Sequence, residues 1–129
     1  MDRRTSTAPV VMIVEDEYLI RVMISDELRD AGFHVVECCT ADEVIDVLNA
    51  GIDVDVVFSD IRMPGALDGA ALADVVNRQF PDLTMILTSS EAPMNGAAVI
   101  PFIPKPYEPA GVIRLISELL QGTSGARHR

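Results

Sequence analysis

The chain has few cysteines, few aromatic residues and no long apolar run, and each shortage excludes a class of protein. Its 129 residues include two cysteines, two tyrosines, four phenylalanines and no tryptophan. A small secreted domain held together by disulfides would carry more cysteines than this. No run approaches the roughly 18 apolar residues of a membrane-spanning helix. We therefore expect neither a disulfide framework nor a membrane protein.

The two cysteines, Cys38 and Cys39, are neighbours in the sequence. Adjacent residues are poorly placed for an ordinary disulfide, so both thiols are expected to be free, as is typical of the reducing cytoplasm. The opening stretch MDRRTSTAPV carries two arginines, but the apolar run after it is too short for a signal peptide and leads into VEDE. We therefore expect a cytoplasmic protein.

Positive charge is also scarce. The chain has 10 lysines and arginines against 20 aspartates and glutamates, which gives a formal net charge of −10. DNA, RNA and anionic membranes bind clustered lysines and arginines. We therefore expect no nucleic acid and no membrane among the main partners.

Short apolar runs alternate with amphipathic helical patterns along the chain. The runs with the length of buried strands are 9–14, 33–38, 54–59, 83–88 and 99–103. Gly32 and Gly51 end the first two helical patterns, and Thr40 with Glu43 has the spacing of a capping box. This alternation predicts right-handed βαβ crossovers, and hence an α/β fold with helices on both faces of a parallel sheet.

Five strands of this kind predict a flavodoxin-like, doubly wound sheet with strand order 2-1-3-4-5. Pro101 lies in the fifth run. Proline is tolerated in a strand only at an edge or a bulge, and this order places the fifth strand at an edge. The length suits one domain, which we assign to residues 9–121, with a disordered segment at 1–8 and a flexible tail at 122–129.

Polar residues stand where four of the predicted strands end, which is where open α/β sheets bind ligands. Glu15 and Asp16 follow the first strand, Asp60 ends the third within VFSDIRMPG, Thr88 ends the fourth, and Lys105 follows the fifth. Each residue alone would be interpreted as a helix cap or a solvated surface residue. Their occurrence together indicates a shared site.

The chemistry of this set points to phosphoryl transfer. Three carboxylates in one pocket repel each other unless a cation lies among them. Oxygen ligands in a half-open site favour Mg²⁺, with Mn²⁺ as an alternative ion. A lysine and a threonine opposite can hold the oxygens of a group transferred to an aspartate. The turn at Met63-Pro64-Gly65 leads the chain away and leaves Asp60 open to a donor.

The motifs IVEDE, FSDIRMPG, ILTSS and FIPKPY together resemble the response-regulator receiver domain, the phosphoacceptor module of two-component signalling. The resemblance covers roughly residues 9–121 and implies that Asp60 accepts a phosphoryl group whose oxygens bind Thr88 and Lys105. The Mg²⁺ ligands that it implies are Glu15, Asp16, Asp60 and the backbone carbonyl of Arg62.

The resemblance also implies a cis peptide between Lys105 and Pro106, and switch roles for Thr88 and Phe102. The chain departs from the family between Thr88 and Lys105, where it is shorter than most receivers, and the loop GALDG is slightly longer. The stretch EAPMNGAA at 91–98 contains a proline and a glycine and no helical stripe. The fourth helix is therefore expected to be short, irregular or missing, which puts the family's usual output face in doubt.

The resemblance implies a response regulator. Because only eight polar or small residues follow the last predicted helix, we expect the single-domain type, a monomer or weak dimer. It would take its phosphoryl group from a sensor histidine kinase or a histidine phosphotransfer protein. It would then signal by contact with an unidentified protein target or by onward phosphotransfer. Its chemistry would be limited to Mg²⁺-dependent self-phosphorylation and slow self-dephosphorylation, so we do not expect an enzyme.

Two alternatives belong to other classes. A receiver-like docking protein would work without phosphorylation, although the complete set of acidic, threonine and lysine positions argues against it. A phosphatase of the haloacid dehalogenase type resembles D-x-D-x-T/V after its first strand. Here the first strand leads into EDEY, and the candidate nucleophile follows the third strand.

Overall fold

The structure of the chain, a computed structural model, describes residues 8–62, 68–90 and 100–127, with side chains as far as residue 121. The strands are β1 (Val10–Val14), β2 (His34–Cys38), β3 (Val56–Asp60), β4 (Thr84–Ser89) and β5 (Phe102–Pro104). The helices are α1 (Tyr18–Asp30), α2 (Ala41–Asn49), α3 (Gly69–Gln79) and α4 (Pro109–Arg127). None of the helices in these ranges combines the length and hydropathy of a membrane span.

The five strands form one parallel sheet in the order β2-β1-β3-β4-β5, which confirms the predicted order. The central strands are almost continuously apolar because helices cover both of their faces, and every residue of β3 is buried. The register pairs Val14 with Ser59 and Asp60 with Thr88. The strands therefore end side by side along one edge, which we call the carboxyl edge.

Successive strand residues point to opposite faces, and each face has its own apolar cluster. Met12 packs with Val44 and Leu72 of α2 and α3 on one face. Val11, the neighbour of Met12, packs with Ile116 of α4 and with α1 on the other. Burying both faces holds the sheet rigid, so the carboxyl edge is a fixed platform for whatever stands on it.

The fifth strand begins later than the sequence indicates. Phe102 is its first residue, and β5 pairs with β4 alone, so its predicted position at the edge is confirmed. Pro101 directly precedes the strand, where its missing N–H costs no ladder hydrogen bond. Its carbonyl still accepts from the amide of Leu87 at 2.9 Å.

The predicted helix ends agree with the structure. Gly32 and Gly51 have positive φ angles of 101° and 87°, the conformation that glycine adopts easily after a helix. Thr40 caps α2, with its hydroxyl accepting from the amide of Glu43 at 3.2 Å. The carboxylate of Glu43 accepts in return from the amide of Cys39, one residue earlier than a standard capping box predicts.

The structure differs from the predicted boundaries at the C-terminal end. The backbone of α4 is helical as far as Arg127, where the sequence predicts a flexible tail from residue 122. Glycine lowers helix propensity by only about 1 kcal/mol per residue, and no proline follows Pro109 to stop the helix. Residues 1–7, the turn at Met63-Pro64-Gly65 and the expected fourth helix at 91–98 lie outside the described residues.

Gly69 brings the start of α3 against the end of β3. Its amide donates to the carbonyl of Ile61 at 2.7 Å, and the side chain of Asp68 caps the helix by accepting from the amide of Ala71. A Cβ atom at Gly69 would overlap the backbone carbonyl of Asp60 and lie 2.6 Å from the Cα of Ile61. Only glycine allows this close approach beside the carboxyl edge.

Gly69→Ala should therefore lower the free energy of unfolding by about 2 kcal/mol or more, because the added methyl meets backbone atoms that cannot rotate away. Gly111→Ala is the matched control, since a Cβ there meets nothing within 4 Å. That change should leave stability unchanged or raise it by up to about 1 kcal/mol. Urea denaturation of both variants measures the difference, and equal stabilities would refute the close approach.

Candidate functional site

Residues from four strands meet at the carboxyl edge. Glu15 follows β1, Asp60 ends β3, Thr88 lies in β4, and Lys105 follows β5. The first three are buried, with exposed fractions of 4%, 7% and 1%. Asp16, the next residue after Glu15, is exposed. The structure thus brings together all five of the residues that the sequence placed at one site.

An ion-pair network joins the edge strand to the centre of the sheet. The Nζ atom of Lys105 lies 2.7 Å from Oδ2 of Asp60 and 3.2 Å from Oε1 of Glu15. The amide of Lys105 donates to the carbonyl of Ser89 at 2.9 Å, and the Lys105–Pro106 peptide is cis, as predicted. The second oxygen of Asp60, Oδ1, accepts from the amide of Arg62 at 3.1 Å.

The electrostatics of this network follow from its burial. Burial raises the pKa of Glu15 above its usual value, and it outweighs the hydrogen bond from the amide of Glu17 and the charge of Lys105. Burial alone would lower the pKa of Lys105, but hydrogen bonds and charges from Asp60 and Glu15 raise it overall. The lysine therefore stays protonated, and its single charge offsets only part of the negative charge around it.

The acidic residues have the arrangement of a metal site. Glu15, Asp16 and Asp60 each offer one carboxylate oxygen, and these oxygens lie within 4.8 Å of one another. Mg²⁺ prefers oxygen ligands and keeps several waters, so two buried carboxylates beside an exposed one fit it well. A divalent cation would also relieve the repulsion that Lys105 leaves uncompensated. The site is therefore compatible with Mg²⁺.

Thr88 stands beside Asp60 with its hydrogen-bonding capacity unused. Its side chain is buried, and within the described parts of the chain its Oγ1 atom has no hydrogen-bond partner. A buried hydroxyl without a partner costs about 1–3 kcal/mol. A group placed against Asp60 that presents oxygen atoms would supply the missing partner.

Phe102 does not reach this network in the described contacts. It is half-buried, packs against the apolar cluster shared with α2 and α3, and pairs in register with Leu87. The switch role assigned to it by resemblance stays a prediction.

Sequence reasoning missed Tyr107, which lies close enough to Glu15, Lys105 and Asp60 to feel their charges. Its ring packs edge-to-face on Phe58 of β3, with ring centroids 5.3 Å apart and an interplanar angle of 71°. Burial raises the pKa of Tyr107 to about 12, with a smaller contribution from the charge of Glu15. It is therefore a neutral phenol beside the network. Only its place two residues after Lys105 could have indicated it.

Comparison with known proteins agrees with the geometry. The sequence profile of the response regulator receiver domain matches residues 11–116. The chain belongs to this family. The predicted fold and the family predicted from the motifs are therefore confirmed. Receiver domains of this family receive phosphoryl groups from histidine kinases.

A curated relative and a solved structure show how far the likeness extends. The C4-dicarboxylate transport transcriptional regulatory protein DctD of Rhizobium meliloti is 37% identical over 111 residues, 79% of this chain but 23% of that protein. A response regulator receiver protein from Sinorhizobium medicae is 28% identical, with a TM-score of 0.81 over 88% of this receiver and 95% of that chain. This receiver spans under a quarter of the length of DctD.

A third comparison concerns the fold alone. The response regulator protein TrrA of Thermotoga maritima, solved in complex with Mg²⁺ and BeF, is 21% identical to this receiver. It superposes with a TM-score of 0.79 over 87% of this chain and 99% of its own.

Asp16→Ala should weaken Mg²⁺ binding and cost the metal-free fold little, because it removes one of three crowded negative charges. Thermal melts with and without Mg²⁺ measure both effects. Asp82→Ala, at an exposed turn remote from the carboxyl edge, is the control and should keep the full Mg²⁺-dependent rise in Tm. A lower metal-free Tm with an unchanged Mg²⁺ shift in Asp16→Ala would contradict the assignment.

Thr88→Val should leave the stability of the unmodified protein unchanged or raise it by about 1 kcal/mol, because it removes a buried hydroxyl without a partner. It should also weaken binding of beryllofluoride, a phosphoryl mimic. Ser25→Ala is the control, since Ser25 in α1 is the other buried hydroxyl without a partner among the described side chains. Calorimetric titration should show weaker binding only for Thr88→Val; equal affinities would disprove the role of Thr88.

Proposed function

We propose that this receiver accepts a phosphoryl group on the carboxylate of Asp60, from a phosphohistidine of a sensor histidine kinase or a histidine phosphotransfer protein. The observation that carries the proposal is the set of contacts around Asp60. Its carboxylate lies 2.7 Å from the ammonium of Lys105, beside the acidic pair Glu15 and Asp16. It also lies beside the hydroxyl of Thr88, which has no hydrogen-bond partner among the described residues.

In this proposal the acidic residues hold Mg²⁺. Glu15, Asp16 and Asp60 supply carboxylate oxygens, and the backbone carbonyl of Arg62 completes the protein's ligands. When bound, the ion neutralises charge on the phosphoryl group and on the acceptor carboxylate. Mn²⁺ would serve the same purpose, because it also prefers oxygen ligands.

The transfer itself needs few protein groups. A carboxylate oxygen of Asp60 attacks phosphorus while the bond from phosphorus to the donor's imidazole nitrogen breaks and the imidazole leaves. Lys105, which pairs with Asp60 in the unmodified protein, then binds a phosphoryl oxygen, and the hydroxyl of Thr88 donates to another. Water later hydrolyses the acyl phosphate slowly, which releases inorganic phosphate and restores the carboxylate, so the protein is a signalling module and not an enzyme.

Signalling would follow from the new partner of Thr88. A hydroxyl drawn toward the phosphoryl group pulls on the end of β4, next to Phe102 of the edge strand, and this is the proposed switch. We propose that the phosphorylated form contacts a protein target or passes its group onward, as a cytoplasmic monomer or weak dimer without nucleic acid as a partner. A docking module that works without phosphorylation is the second candidate.

Asp60→Asn should abolish labelling by acetyl phosphate and Mg²⁺ while the protein stays folded, because the amide keeps the shape of the side chain and loses the nucleophile. Intact-protein mass spectrometry measures the label, and circular dichroism checks the fold. Asp53→Asn is the control, since Asp53 is an exposed aspartate that precedes β3 at the opposite end of the sheet. It should be labelled as fully as the unaltered protein.

Two outcomes would count against the proposal. Undiminished labelling of folded Asp60→Asn would show that another residue accepts the group. No labelling of the unaltered protein, by acetyl phosphate or by any histidine kinase of the source organism, would favour the docking module.

A further inference from the structure

The loop between β1 and α1 carries two of the three acidic residues of the site. On one side, the amide of Glu15 donates to the carbonyl of Cys38 in β2 at 3.1 Å. Within the loop, the amide of Glu17 donates to Oε2 of Glu15 at 3.0 Å. Neither hydrogen bond involves the carbonyl of Glu15, which belongs to the peptide unit that joins Glu15 to Asp16.

That carbonyl is bound by a side chain from the following helix. Arg21 in α1 reaches back, and its Nη1 donates to the carbonyl oxygen of Glu15 at 2.9 Å. Its Nε donates to Oε1 of Glu37 in β2 at 3.2 Å, and its guanidinium carbon lies 5.5 Å from the centre of the Tyr18 ring. Only 13% of the Arg21 side chain is exposed. The guanidinium is therefore held by three partners and has little freedom to move.

We propose that Arg21 is a positioning residue for the metal site. Because the peptide unit is planar, fixing the carbonyl of Glu15 also fixes the amide and the Cα of Asp16. The carboxylate of Asp16 is exposed, so its direction depends on this backbone more than on packing. Arg21 would thus hold Asp16 ready for Mg²⁺ without touching the ion. The inference rests on the proposed function, in which Glu15, Asp16 and Asp60 bind Mg²⁺.

Arg21 could instead serve only to bridge α1 to β2. Arg29 in the same helix distinguishes this purely structural role from a positioning role. Arg29 also bridges α1 to β2, with Nη2 lying 3.1 Å from Oε2 of Glu37 and donating to the carbonyl of Val35 at 3.5 Å. It has no described contact with the loop that carries Glu15. Arg29 therefore shares the bridge from helix to strand and lacks the contact with the acidic loop.

The sign of the effect distinguishes positioning from simple electrostatics. Removing a positive charge near an acidic pocket makes the local potential more negative, which by itself would strengthen the binding of a cation. Loss of positioning has the opposite sign, because the loop must then be ordered when the ion binds. Residues that orient metal ligands typically contribute about 10-fold or more to metal affinity.

The test is titration of the full chain with Mg²⁺ alone, followed by calorimetry, for the unaltered protein and for Arg21→Met, Arg21→Lys and Arg29→Met. Methionine keeps the apolar stem and removes the donors. Arg21→Met should weaken Mg²⁺ binding by about 10-fold, and Arg29→Met should keep or slightly improve it. Arg21→Lys should fall between Arg21→Met and the unaltered protein, since one ammonium can reach the carbonyl or Glu37 but does not form the same fork.

Urea denaturation without Mg²⁺ provides the second readout. Both methionine variants should stay folded and lose some stability, because each loses one bridge to Glu37. Arg21→Met should lose somewhat more, because it also loses the hydrogen bond to the carbonyl of Glu15. Equal loss of Mg²⁺ affinity in Arg21→Met and Arg29→Met, or unchanged affinity in both Arg21 variants, would overturn the positioning role alone. Absence of Mg²⁺ binding by the unaltered protein would instead overturn the proposed metal site, and this inference with it.

Discussion

Repulsion among three carboxylates is the constraint on which the rest of this receiver depends. Glu15, Asp16 and Asp60 present oxygens within 4.8 Å of one another, and two of these side chains are buried. Such a cluster needs positive charge, and Lys105 supplies only one unit of it. In the proposed function, the remaining imbalance would give the carboxyl edge its affinity for a divalent cation and, through that cation, for a phosphoryl group. In the unmodified site, Lys105 pairs with Glu15 and Asp60. In the proposed function, phosphorylation would turn Lys105 toward a phosphoryl oxygen.

Several strands, helices and loops together hold these mutually repelling carboxylates in place. The order of the strands places β1 beside β3, and β4 beside β5. Each charged residue of the site therefore lies at the end of a strand that a neighbouring strand holds in place. Gly69 lets α3 approach the backbone of Asp60, and Tyr107 packs on Phe58 of the same strand as Asp60. Arg21 binds the carbonyl of Glu15 in the loop that carries Asp16. Preorganisation of this kind reduces the ordering that binding must otherwise bring about. The site is therefore a property of the whole sheet and not of a local motif.

The sequence predicted the fold and the meeting of these residues at the carboxyl edge, because both depend on topology. Apolar runs alternating with helical patterns predict a parallel α/β sheet, and five such strands suit the order 2-1-3-4-5. Residues at the ends of parallel strands then meet along one edge. Contacts that depend on side-chain conformation, such as the ion pairs of Lys105 and the reach of Arg21 back to Glu15, leave no periodic signal. The steric demand at Gly69 was likewise invisible, since nothing local to GALDG shows which backbone lies opposite. The helical backbone after residue 121 was missed because glycines lower helix propensity without preventing a helix.

We propose that Asp60 accepts a phosphoryl group with the help of a cation held by its acidic neighbours. The most direct measurement is reductive trapping: treat the protein with acetyl phosphate, with Mg²⁺ or with chelator, then with borohydride, and map the products by peptide mass spectrometry. Borohydride converts an aspartyl phosphate to homoserine. We expect homoserine at position 60 when Mg²⁺ is present and little or none there when the chelator replaces it. Homoserine at another aspartate, or equal conversion of Asp60 in chelator, would contradict it.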